Sequence, residues 1–132
     1  MTREISRKDA VYYANASGQI SSFLDRAFYS GSAAFAYKPG AAVASCRRAG
    51  TTATLDQLNK YFTICGMPVA SSQYWNMVYG NTPEEVRQDK EGLQTMRTLG
   101  RNMAFLMKSI ALGKAQLGLP EKEPVQQTNF HH

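Results

Sequence analysis

Two short apolar runs, separated by one helix-length stretch, constrain this chain more than any other feature. Residues 41–46 read Ala-Ala-Val-Ala-Ser-Cys and residues 67–72 read Met-Pro-Val-Ala-Ser-Ser. Both have strand length, and the first could be covered on both faces, as interior parallel strands are. Pro68 fits only near the start of the second. Between them Leu55, Leu58, Phe62 and Cys65 follow one helix face, and Gly66 stands where a C-cap belongs. Strand, helix, strand in this order predicts an α/β layer structure with parallel strands. Two strands are too few for a stable open sheet, so the pattern also calls for something to complete it.

Helical patterns flank this unit. Ile20, Phe23, Leu24, Ala27 and Phe28 mark one helix face, with Ser17 as N-cap and Ser30-Gly31-Ser32 as its end. Thr82-Pro83-Glu84-Glu85 combines an N-cap, proline at the first helical position and a capping-box glutamate. From there Val86, Leu93, Met96, Gly100, Met103, Met107 and Ile110 predict one long helix, bent at Gly92. Pro120 and Pro124 end helical structure. The expected organisation is a non-family segment over 1–10, a partial domain over 11–118 and an extended tail over 119–132. The terminal pair His131-His132 reads as a tag remnant.

Composition narrows the function classes. Hydrophobic residues at 43% and charged residues at 19% exclude a disordered chain. No apolar run approaches a membrane span and no signal segment opens the chain, so a cytoplasmic protein with no membrane partner is expected. Cys46 and Cys65 make neither a disulfide framework nor a metal spacing. The net charge of +5 raises nucleic acid as a partner, but Lys and Arg are dispersed. Arg97, Arg101 and Lys108 form only a short stripe, read as a solvated helix face, so no nucleic-acid partner is expected. A basic chain also suits an anionic ligand.

In an open parallel sheet, ligands bind beyond the carboxyl ends of the strands. Three loops are expected there: 11–17, 47–52 and 73–80. They carry Tyr12, Tyr13, Asn15 and Ser17; Arg47, Arg48, Gly50 and Thr51; and Tyr74 and Trp75. Singly, each has an ordinary explanation in packing or surface charge. Their joint placement on successive loops is what points to a site.

The stretch Val-Tyr-Tyr-Ala-Asn-Ala-Ser-Gly from Val11, running on to Asp25-Arg26-Ala27-Phe28, resembles the flavodoxin-like NAD(P)H-dependent FMN reductases and the related iron-sulfur flavoproteins. Ser45-Cys46-Arg47-Arg48-Ala49-Gly50-Thr51-Thr52 and Ser72-Gln73-Tyr74-Trp75-Asn76-Met77 continue the resemblance in order. It implies the C-terminal half of a flavodoxin-like three-layer parallel sheet, with about two strands and three main helices, truncated and completed by oligomerisation. The family's opening strand and Gly-Ser-Pro-Arg phosphate loop find no match in these residues. The resemblance implies FMN, held weakly or shared between chains, with NAD(P)H as co-substrate and a small-molecule electron acceptor. Tyr12 and Tyr13 would stack on or wall the flavin, Asn15 would bond its pyrimidine edge, and Arg47 or Arg48 would stabilise charge on the reduced ring. Ser17, Gly50, Thr51, Tyr74 and Trp75 complete the expected contacts. No iron-sulfur cluster is expected, because the cysteine cluster of some relatives has no match. Relatives form dimers or tetramers, so a homo-oligomer is expected. The alternative is a non-catalytic remnant, a structural or interaction protein without flavin.

Overall fold

The structure, a computed structural model, describes residues 11–128 and 130. The expectations for residues 1–10 and for the terminal histidines lie outside these. Among the described residues the order is α1 (Gly18–Phe35), β1 (Ala44–Cys46), α2 (Thr51–Ile64), β2 (Met77–Tyr79), α3 (Pro83–Gln88) and α4 (Lys90–Leu117). The strands pair in parallel, Ala44 opposite Met77 and Cys46 opposite Tyr79. The α/β architecture with a parallel sheet is therefore as the sequence implies, with four helices where three were expected.

Adjacent strand residues face opposite sides of a sheet. Met77 joins Ala42, Ala44 and Leu55 of α2 in a small apolar core, edged by Val11, Leu58 and Phe62. Val78 lies against Gly92 of α4 instead. Helices α2 and α4 thus cover the two faces, giving three layers.

The second strand lies later than its apolar run suggests. Val69 makes one parallel bridge to Gly40, and the ladder resumes only when Met77 meets Ala44. Four residues advance on one side while eight advance on the other, so residues 71–75 leave the sheet as an excursion. Side chains hold it out: Ser72 Oγ donates to Thr95 O at 2.7 Å, and Asn102 Nδ2 donates to Ser71 O at 2.7 Å. The predicted strand 67–72 supplies one bridge, and the predicted loop supplies β2.

Two helix boundaries also differ. Helix α1 starts at its Ser17 cap but runs through Ser30-Gly31-Ser32 to Phe35. Ser30 Oγ donates back to Arg26 O at 2.8 Å, and Phe28 stacks on Phe35 at 4.7 Å across the glycine. These contacts outweigh a weak local breaker signal. The long helix from Pro83 is divided at Asp89, whose backbone leaves helical geometry with ψ 81°. The Asp89 carboxylate accepts from Gly92 N at 2.8 Å and Tyr79 N at 2.7 Å, tying the start of α4 to β2. Gly92 is needed for that approach rather than for a bend, since a Cβ there would sit 2.3 Å from Asp89 Oδ2.

Candidate functional site

The loop before α1 is a tight turn. Tyr12 N donates to Asn15 O at 2.8 Å and Asn15 N returns a bond to Tyr12 O at 2.7 Å. Its central residues, Tyr13 at φ 46° and Ala14 at φ 60°, are both left-handed, as in a type I′ turn. Non-glycine residues in that region cost about 1–3 kcal/mol each unless the surroundings hold them there. Here the surroundings do. Ala16 N donates to Gln57 Oε1 of α2 at 2.9 Å, and Ala14 rests on Gly50.

Gly50 is the joint of the site. With φ 96° it is the N-cap of α2, and a Cβ on it would stand 3.0 Å from both Ala14 Cα and Val11 Cγ1. No side chain caps α2 there, so its first N–H groups point out beyond the carboxyl end of β1. Arg47, Arg48 and Ala49 are exposed beside them. Neither arginine has an ion-pair partner among the described residues. Tyr13 is 99% exposed, so its ring lies in solvent beside this edge. The result is a shallow wall of aromatic, amide and guanidinium groups around a helix N-terminus. Such a wall suits a planar anionic ring.

Of the ten residues singled out from sequence, eight fall on these two touching segments. Their side chains are not equally available. Ser17 accepts from Ile20 N as the cap of α1. The Thr51 hydroxyl turns inward to Met77 Sδ at 3.2 Å, leaving only its backbone N–H at the wall. Tyr74 and Trp75 lie elsewhere. They sit on the excursion before β2, ring centroids 5.1 Å apart, beside α2 rather than beyond the strand ends.

Gln57, which anchors the turn, lies in a stretch, Gln57-Leu58-Asn59-Lys60, that shares the family resemblance, but nothing local assigns a role to a glutamine whose partner is 41 residues away. Nor does anything local mark Tyr61, whose hydroxyl bonds Asp25 and joins α1 to α2. That hydrogen bond, with some burial and the carboxylate's charge, raises the Tyr61 pKa above its ordinary value.

The NADPH-dependent FMN reductase family model matches residues 9–82, more than half of the chain. The chain belongs to that family. The match spans both segments of the wall and ends at the cap of α3. No curated protein and no solved structure matches the chain. No described helix is long and apolar enough to cross a membrane. Both cysteines are free, Cys46 on β1 and Cys65 buried at the end of α2. Among the described residues no group of His, Cys, Asp and Glu could hold a metal ion.

The wall fits the ring of FMN. Gly50 allows close backbone approach, the open N-terminus of α2 offers donors, and the exposed arginines offer positive charge. For the phosphate end of the cofactor the described residues form no comparable cradle.

Proposed function

We propose that this chain is an FMN-dependent NAD(P)H oxidoreductase whose residues 11–118 form the ring-side part of the flavin site. The reading rests on one observation above all: the 12–15 turn is docked on Gly50 at the N-terminus of α2. Tyr12, Tyr13 and Asn15 belong to that turn, and Arg47 and Arg48 to the loop that ends at Gly50. FMN, when bound, supplies the hydride chemistry. The chain's residues bind and orient the ring and exclude water from one face. Tyr12 and Tyr13 offer aromatic area, and Asn15 with the α2 N–H groups offers donors to the pyrimidine carbonyls. Arg47, Arg48 and the helix dipole favour negative charge on that edge. Residues 119–128, which form no helix or strand, are a tail outside the site.

The protein works as a homo-oligomer in this reading. Phe23 and Tyr29 on α1, and Phe105, Leu112 and Leu117 on α4, all stand largely in water. A second chain that covers them also supplies the phosphate end of the site. The electron acceptor is a small molecule and the protein is cytoplasmic.

Titration of purified protein with FMN, followed by flavin fluorescence alongside oligomeric mass, tests the reading. Saturable quenching at micromolar FMN is expected, with Arg47→Ala weakening it by roughly fivefold to tenfold. Folded protein that leaves flavin unquenched would favour the non-catalytic alternative.

A further inference from the structure

The excursion that breaks the second strand builds a groove with α2, apart from the flavin wall. Its volume is about 340 Å³, at the small end of ligand sites. Buried Leu55 contributes apolar surface, and Tyr74 and Trp75 contribute aromatic rings. Asp56 and Asn59 come from one face of α2, and Asn76 from the residue before β2. The groove is held from behind, since Ser71, Ser72 and Gln73 are all bonded to α4.

Two carboxamides in its lining hold unpaired acceptor oxygens. Asn59 Oδ1 and Asn76 Oδ1 are both shielded from water and have no hydrogen-bond partner among the described residues. Asn76 is only 9% exposed, and its Nδ2 makes a long 3.4 Å bond to Ala70 O. Buried acceptors left unpaired are costly and uncommon in native structures. Asp56, exposed at the same groove, has no ion-pair partner among the described residues. Asp56 thus presents acceptor oxygen at the groove, and two carboxamides in its lining hold shielded acceptor oxygens without partners, beside an aromatic pair. A ligand complementary to them carries N–H donors on a flat ring.

We propose that this groove binds a small planar aromatic ligand bearing an amino or amidino group. The ring packs on Tyr74 and Trp75, and the N–H groups bond Asp56, Asn59 and Asn76. Because both amide oxygens are shielded, binding is accompanied by a swing of each carboxamide toward the ligand. The proposal is independent of the flavin reading, as the two sites use different residues.

Trp75 is the single tryptophan of the chain, so its indole N–H gives one resonance in a ¹H–¹⁵N spectrum. Titration of the whole protein with benzamidine, a flat ring with donors only, should shift that resonance saturably at millimolar concentration or below. Benzoate, the same ring with acceptors only, should leave it in place. Asn59→Leu should weaken benzamidine binding by roughly tenfold. Asp56→Asn, at an exposed position where folding is not at stake, should weaken it by a similar factor. No saturable shift up to about 10 mM benzamidine would overturn the proposal. So would equal binding of benzoate, or undiminished affinity in Asp56→Asn.

Discussion

At the scale of single residues, the candidate site depends on backbone geometry that only glycine supports. Gly50→Ala would place a methyl against Ala14 and Val11 at a φ of 96° that side chains rarely adopt. The expected loss is about 1–3 kcal/mol by chemical denaturation, together with weaker FMN binding, because the turn would lift from α2. Tyr13 tests the opposite balance. It is almost fully exposed in a left-handed conformation, so its ring adds little to folding. Tyr13→Gly should keep or slightly raise stability, by up to about 1 kcal/mol, while lowering FMN affinity. A joint fall of both quantities would mean that the ring serves packing. Residues of this kind were legible early, since Tyr12, Tyr13, Arg47, Arg48 and Gly50 stand in recognisable order along the chain. The inward turn of Thr51 was not, because its partner Met77 belongs to a strand that the local pattern hides.

At the scale of elements, helix boundaries set by local signals read well, the end of α2 at Gly66 among them, while boundaries set by contacts distant in sequence do not. Ser17 and Thr82 cap α1 and α3 as their spacing implies, because an N-cap acts on residues two or three positions away. The continuation of α1 past Gly31 depends on a ring stack, and the division before α4 depends on a bond from Asp89 to β2. β2 is hidden from the local pattern for a related reason: its three residues follow an excursion that is pinned to α4. Asp89→Ala should therefore cost more than an ordinary cap, about 2 kcal/mol against about 1 for Thr82→Ala, as it frees two backbone donors. The α1–α2 contact carries a pH signature. The Tyr61 pKa is raised in the folded chain from its ordinary 10.0. Its stabilising contribution is thus complete below about pH 10 and is lost as pH rises through the folded-state value. Stability measured across that range should fall less steeply in Tyr61→Phe than in the parent. An identical slope would remove Tyr61 from the account.

At the scale of the whole molecule, α4 is the telling element. Its 28 residues bury only Gly92, Thr95 and Leu99, all in the first half. Beyond Asn102, which bonds Ser71, some 20 Å of helix extends with Phe105, Met107, Leu112 and Leu117 exposed. An amphipathic helix in that setting gains most by packing on another surface. The double substitution Phe105→Glu and Leu112→Glu should lower the mass measured by sedimentation toward that of one chain, and should weaken FMN binding if the partner completes the site. The sequence indicated that something must complete the sheet, but it did not indicate this helix, because periodicity alone cannot separate a face buried within the chain from one left for a partner. The proposal that the docked turn is the flavin wall is tested by ¹H–¹⁵N spectra of the whole protein during FMN addition. Backbone amides of Asn15, Arg48 and Gly50 should move together with one shared midpoint. Static amides at those positions, with FMN binding elsewhere or not at all, would show that the turn is not the flavin wall.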